Sequence, residues 1–91
     1  MQVYYFTELP YHEYDDADGA KYPSLRLTFP NTYFESKTAH GLFHRYLDEY
    51  QYCEEMGFDG LMLNEHHNTP SCMNATMNLT GAILARSRFI P

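Results

Sequence analysis

The chain contains no tryptophan and only two cysteines, Cys53 and Cys72, which do not form a CxxC pair. A disulfide framework or a structural zinc site needs more cysteines at closer spacing, so neither is supported. No apolar run approaches the ~20 residues that span a bilayer, and a membrane protein is not expected. The first ten residues lack the basic start and long apolar stretch of a secretory signal, so the expected location is the cytoplasm.

Basic residues are also scarce. Six Lys and Arg stand against twelve Asp and Glu, which gives a formal charge of -6 at pH 7. A phosphate backbone is repelled by such a chain, so nucleic acid is not an expected partner. All twelve acids lie at or before Glu65. Because protein surfaces usually mix charges of both signs, this asymmetry predicts that the acid-free tail is covered by more protein.

Three sequence motifs of nucleotide and hydrolase sites are missing. There is no GxGxxG, no GxxxxGK[ST] and no GxSxG, so dinucleotide loops, P-loops and nucleophile elbows are not expected. What the chain does have is 44% hydrophobic residues over 91 positions, a composition typical of one small globular domain.

The order of apolar and turn-forming residues predicts alternating strands and helices. Short β-branched or aromatic runs indicate strands, apolar residues recurring every three or four positions indicate helices, and Gly57 is placed as a helix C-cap. The expected elements are a strand at 2–6, a long ordered aromatic-rich loop at 10–37, a helix at 38–56, a strand at 58–64, a second helix at 73–87 and the start of a third strand at 88–91.

This order makes a βαβ unit, whose two strands are expected to be parallel. Parallel sheets are stable with both faces covered, and so few elements cannot cover them. The predicted fold class is therefore α/β, an incomplete N-terminal β-α-β-α portion of a larger protein. Residues 1–91 are predicted to form one segment, in which residues 10–37 are an inserted loop that covers a site.

Polar residues follow both predicted strands. Asn64 to Asn68 (Asn-Glu-His-His-Asn) come after the second strand, and Thr7 and Glu8 come after the first. Ligands of parallel α/β folds bind at the carboxyl ends of strands, so a site is expected there. The histidine pair leaves two interpretations open: one imidazole contacts a substrate or cofactor, or both residues only cap the strand end.

The same residue types also occur as ligands in metal sites. Glu65, His66 and His67 are all ligand types, but adjacent residues of a strand point in opposite directions and no HExxH spacing occurs. No metal is therefore predicted. His40 and His44 share one helical face and are expected at the surface.

The run Gly57 to Asn68, GFDGLMLNEHHN, resembles the second strand of the bacterial luciferase-like flavin-dependent monooxygenases. The opening strand, the helix before Gly57 and the segment Asn74 to Arg86 are similar to the same family. The combination of GFDG with EHH carries the resemblance, and residues 10–37 are its least typical part.

The resemblance implies a (β/α)8 TIM barrel, of which this chain supplies the first quarter. It implies a monooxygenase that uses reduced FMN with O2 and a small organic substrate such as an aldehyde, with the deazaflavin F420 as the alternative cofactor. It assigns His66 as catalytic and places Thr7, Glu8, Glu65 and His67 around the cofactor. A flavin reductase or another supply of reduced flavin is the implied partner, and a homodimer is compatible with it.

A second hypothesis needs no catalysis. Here the chain is an inactive fragment or an interaction subunit whose exposed strand edges and apolar faces require a partner chain.

Overall fold

The computed structural model describes residues 1–76 and 80–81. Strand β1 spans Tyr4–Phe6 and strand β2 spans Gly60–Met62. A short helix, α1, covers Asp16–Gly19, a 3-10 turn covers Asn31–Tyr33, and the long helix α2 covers Ser36–Glu55. In this part of the chain, no helix is long and apolar enough to cross a membrane.

The two strands pair in parallel, as the βαβ pattern predicted. Tyr4 lies opposite Gly60 and Phe6 lies opposite Met62. At the amino ends of the strands, Asp59 and Val3 are joined by two hydrogen bonds. The Asp59 carboxylate accepts from the Val3 N–H at 2.7 Å, and the Asp59 N–H donates to the Val3 carbonyl at 2.9 Å. Both carboxyl ends therefore emerge at the same edge of the sheet.

Helix α2 begins two residues earlier than predicted because Glu35 caps it. The Glu35 carboxylate accepts from the N–H groups of Lys37 and Thr38 at 3.0 and 2.6 Å, satisfying donors that have no partner within the helix. These bonds lower the Glu35 pKa, the Thr38 contacts being the largest cause. The apolar periodicity begins near residue 38, which is why the start was predicted there, and Glu is not among the favoured N-cap residues.

The other end of α2 matches the expectation for Gly57. Its φ is +87°, in the left-handed region that glycine enters without penalty. The Gly57 N–H donates to the Glu54 carbonyl, and the Phe58 N–H donates to the Cys53 carbonyl at 3.1 Å. This pair of bonds is a Schellman motif, which closes the helix and directs the chain into β2.

The core lies between α2, the sheet and the turn after β1. On α2 the buried side chains are Ala39, Leu42, Tyr46, Tyr50 and Cys53. Leu9 and Tyr50 are fully buried, and Tyr11 and Met73 join the same cluster. The apolar spacing in the sequence predicted a buried stripe formed by Ala39, Phe43, Tyr46 or Leu47, Tyr50, Cys53 and Met56. It is confirmed at most of these positions, but Leu42 is buried without having been predicted and Met56 is exposed.

Residues 10–37 contain a second, aromatic cluster around Phe29. Phe29 stacks on Tyr33 with ring centroids 4.9 Å apart and contacts Tyr14 at 4.6 Å, while Tyr22 meets it edge-on. Phe29 is nearly fully buried. The aromatic rings of this segment therefore pack on one another, and the segment contains α1 and the 3-10 turn, which were not predicted.

The predicted fold class, a β-α-β-α portion of a TIM barrel, is wrong for this structure. The described chain has one long helix and a sheet of two three-residue strands, too few elements for a portion of a barrel. Both strands are shorter than predicted, and residues 73–76, expected to be helical, are not. The rest of that helix, apart from 80–81, and the start of a third strand at 88–91 lie outside the described residues.

Candidate functional site

Glu8 and His66 come together beyond the carboxyl ends of β1 and β2. Glu8 lies two residues after β1, and His66 lies four residues after β2. The Glu8 Oε1 atom is 3.5 Å from His66 Nε2, and both side chains are about 30% exposed. The expectation that polar residues from the two strand ends share one region is confirmed.

A turn after β1 directs Glu8 toward β2. Leu9 has a φ of +50°, which is uncommon for a residue other than glycine. Its N–H donates to Thr7 Oγ1 at 3.3 Å, and its carbonyl accepts from the Met73 N–H at 2.8 Å. Thr7, predicted to contact a cofactor, therefore supports this turn, while Glu8 reaches the cluster.

Two asparagines connect Glu8 and His66 into one hydrogen-bonded network. Asn64 Nδ2 lies 3.2 Å from Glu8 Oε1 and 3.0 Å from His66 Nε2. Asn74 Nδ2 donates to Asn64 Oδ1 at 2.6 Å, and Asn74 Oδ1 accepts from the His66 N–H at 3.1 Å. Asn74 is fully buried, so each of these bonds satisfies a polar atom shielded from water.

Arg26 and Cys72 complete the surroundings of Glu8. Arg26 Nη2 forms an ion pair with Glu8 Oε2, which ties the aromatic loop to the site. The Cys72 thiol approaches the same carboxylate oxygen at 3.8 Å. Burial raises the pKa of Cys72, the nearby Glu8 charge adds to this, and the Ser71 hydrogen bond partly opposes it. Cys72 is therefore a neutral thiol at pH 7 rather than a thiolate nucleophile.

Within the described residues, Glu8, His66 and Cys72 also form a group of metal-ligand types, with their ligand atoms within 4.8 Å of one another. All three already have other partners: Arg26 with Glu8, Asn64 with His66, and Glu8 with the Cys72 thiol. In this structure each of these side chains is therefore engaged by a neighbouring protein group.

The two adjacent histidines make separate contacts. His66 faces the network, while His67 Nε2 lies 2.9 Å from Glu65 Oε2 in an exposed pair. Glu65 and His67, both predicted at the cofactor, thus lie outside the network. The imidazoles of His40 and His44 contact each other on the exposed face of α2, as expected.

An open, mostly apolar groove adjoins the network. Its volume is about 420 Å³. It takes residues from the aromatic loop, from α2 and from the segment after β2: Asn31, Phe34, Phe43, His66, His67, Thr69, Pro70, Cys72, Met73, Ala75 and Thr76. His66 and Cys72 belong to both the groove and the network, so a molecule in the groove would contact both.

Sequence reasoning missed several of these residues. Asn74 lies between Asn68 and Asn78 in a stretch that mixes polar and apolar residues, so the sequence alone does not single out its amide. Arg26 and Phe34 come from the aromatic loop, where no periodic pattern indicates which side chains face the site. Cys72 was considered only as one of two cysteines that support neither a disulfide framework nor a zinc site.

No family model, no curated protein and no solved structure matches this chain in the comparisons.

Proposed function

We propose that this chain provides part of a flavin-dependent oxidoreductase site, at which reduced FMN together with O2, or alternatively F420, acts on a small organic substrate such as an aldehyde. The supporting observation is the apolar groove next to the Glu8–His66 network, at the carboxyl ends of two parallel strands. Its volume lies within the range of about 300–1,000 Å³ typical of small-molecule sites.

The groove suits the ring system of a flavin better than its phosphate. Phe34, Phe43 and Met73 offer apolar contact to a flat ring, and His66 offers a hydrogen bond at one side. No Lys or Arg is among the described residues that line the groove, and Arg26 nearby is paired with Glu8. A phosphate would therefore need cations from elsewhere. FMN and F420 both have the flat ring system that this groove would bind, so the groove does not distinguish between them.

The residues of this chain would position and shield the reaction. When bound, the reduced flavin supplies the electrons for oxygen chemistry. His66 holds a hydrogen bond to the bound molecule, Glu8 and the two asparagines fix the imidazole, and the aromatic wall excludes water. A reductase that delivers reduced flavin is the partner this chemistry requires. The proposed compartment is the cytoplasm, where reduced thiols such as those of Cys53 and Cys72 persist.

The direct test is a titration of the 91-residue chain with FMN, oxidised and anaerobically reduced, followed by flavin fluorescence and absorbance. Saturable binding at one site per chain is expected. His66→Gln should weaken binding ~tenfold, since one hydrogen bond to the ligand is lost. His12→Gln is the matched control, because His12 is exposed in the loop and outside the groove.

Two results would count against the proposal. One is an absence of saturable binding by a chain whose circular dichroism shows a folded helix. The other is an equal loss of affinity in the His66 and His12 variants, which would place binding away from the groove.

A second candidate is an interaction subunit, and the exposed sheet favours it. Tyr4, Phe6 and Met62 are each about half exposed on the two strands. Each strand also has one edge without a partner among the described residues. Apolar strands with open edges associate readily with other chains.

Sedimentation over a range of concentrations tests this second candidate. Self-association that is weakened by Phe6→Ser, and not by Leu27→Ser in the loop, would support a sheet-mediated interface with a second copy. A monomer at all concentrations would argue against self-association through the sheet.

A further inference from the structure

The hydrogen bonds around His66 have a direction that the backbone determines. A backbone N–H can only donate, so the oxygen of Asn74 must be the atom that accepts from the His66 N–H. The Asn74 amide nitrogen is then the atom that donates to Asn64, at 2.6 Å, and it must meet the Asn64 oxygen. Each asparagine is therefore held in one orientation.

The same logic extends to the imidazole. With its oxygen bound by Asn74, Asn64 presents its NH2 group to Glu8 Oε1 and to His66 Nε2, at 3.2 and 3.0 Å. An NH2 group has no acceptor, so His66 Nε2 must supply a lone pair. The ring proton of neutral His66 then resides on Nδ1. A proton on Nε2 would set two donors against each other across 3.0 Å. The Glu8 Oε1 atom, the other neighbour of Nε2, lies 3.5 Å away, which is longer than the roughly 2.7–3.2 Å typical of an N–H···O hydrogen bond, so the closer Asn64 contact decides the tautomer.

We propose that Asn64 and Asn74 are positioning residues, which hold His66 as the Nδ1–H tautomer so that it acts as a hydrogen-bond donor to a ligand acceptor atom in the groove. This tautomer is the one that free histidine disfavours in water, so the protein must impose it. The donor role rests on the proposed function, whereas the tautomer follows from the network alone.

The placement of the groove fits a donor role. His66 lines the groove, but the two residues that contact its Nε2, Glu8 and Asn64, do not. The Nε2 side of the ring is thus engaged within the network. A ligand in the groove would meet the remainder of the imidazole, including the N–H of Nδ1. The expected ligand presents a carbonyl oxygen or an unprotonated ring nitrogen at that point.

Nitrogen-15 NMR of the labelled 91-residue chain measures the tautomer without any ligand. At a pH where the imidazole is neutral, the two ring nitrogens of the two tautomers have distinct shifts and couplings to the ring protons. The His66→Gln variant identifies the His66 signals by their loss. The expected result is a predominant Nδ1–H form for His66, and a predominant Nε2–H form for it would overturn the proposal.

Two isosteric variants test the positioning role. Asn64→Asp replaces the donating NH2 group with an oxygen that favours a proton on Nε2. In Asn74→Asp the carboxylate still accepts from the His66 N–H but cannot donate to the Asn64 oxygen unless it is protonated. The loss of this hydrogen bond leaves the Asn64 amide free to rotate. Each variant should shift the His66 tautomer ratio by ~tenfold toward Nε2–H, the value of one hydrogen bond of about 1.4 kcal/mol.

Asn68→Asp is the control, because it introduces the same negative charge at an exposed position of the same segment. An equal shift in all three variants would indicate a general charge effect and contradict the proposal. If Asn64→Asp or Asn74→Asp does not fold, the tautomer measured in the wild-type chain still tests whether His66 is held in the Nδ1–H form.

Binding of reduced FMN separates the two proposals. A wild-type Nδ1–H form with binding weakened in Asn64→Asp supports both. The Nδ1–H form without flavin binding rejects the proposed function and the donor role, but retains the positioning of His66. The Nε2–H form with flavin binding rejects only the inference.

Discussion

The core under α2 and the network at the strand ends are stabilised in opposite ways. Leu9 and Tyr50 in the core are held by close apolar contact, which tolerates many arrangements of similar volume. Glu8, Asn64, His66 and Asn74 are held by directed hydrogen bonds, in which each atom needs one partner. The core should therefore determine stability, and the network should determine the chemistry of His66.

The largest effect is expected at Leu9. Leu9→Ala removes a fully buried side chain and leaves a cavity, so the free energy of unfolding should fall by about 2–5 kcal/mol. Denaturant unfolding followed by circular dichroism measures this. A loss below 1 kcal/mol would show that the core is not organised around Leu9, and the comparison between core and network would fail.

Alkaline pH provides the next test of the core. Burial raises the pKa of the Tyr50 hydroxyl to about 12, with smaller contributions from the nearby Tyr5 and Glu49. Between pH 10 and pH 12 the folded chain keeps the proton and the unfolded chain loses it, so stability should fall as pH rises. The loss from Tyr50 is at most about 3 kcal/mol.

Unfolding curves at pH 9, 10 and 11 give the slope, and Tyr50→Phe should reduce it. Tyr5 contributes in the same direction, because burial, and then its hydrogen bond to Glu49, raise its pKa to about 12. A slope that Tyr50→Phe leaves unchanged would contradict the assignment to Tyr50.

A pair of tyrosine variants compares the two kinds of interaction within the core. The Tyr50 hydroxyl is buried without a hydrogen-bond partner among the described residues, whereas Tyr46 Oη donates to the Pro10 carbonyl at 2.7 Å. Tyr50→Phe should therefore be neutral or stabilising by about 1 kcal/mol, and Tyr46→Phe destabilising by about 1 kcal/mol. Thermal melts at neutral pH compare them, and changes of the same sign would rule out this account.

The smallest stability change is expected at Arg26. Its ion pair with Glu8 is partly exposed, so Arg26→Gln should cost less than about 1 kcal/mol. The aromatic loop should nevertheless loosen at the site, which limited proteolysis of residues 20–34 can detect. A large loss of stability would mean that the aromatic loop is part of the core rather than attached to it.

The sequence was most informative where local rules apply. The C-cap at Gly57, the parallel pairing and the apolar face of α2 all follow from short patterns that the structure confirms. The start of α2 was misplaced because an uncommon capping residue, Glu35, determines it. The barrel portion was wrong because the resemblance extended a local motif to a whole architecture, and the chain forms only two short strands.

The candidate site was predicted only in part. Glu8 and His66 could be placed together because parallel strands end at one edge of a sheet. The contacts of Asn74, Arg26 and Cys72 depend on loops, whose paths are determined by contacts distant in sequence. The spacing of apolar residues along the sequence does not predict such contacts. The divergence of His66 and His67 was expected from strand alternation, although both residues lie beyond β2.

The two hydrogen bonds between Val3 and Asp59 determine more than the position of one residue pair. Sliding one strand by a single residue would turn its side chains to the opposite face of the sheet and carry Glu8 away from His66. The alignment of the acid with the imidazole is thus decided at the far end of the strands. A change at Asp59 reaches the imidazole without touching it.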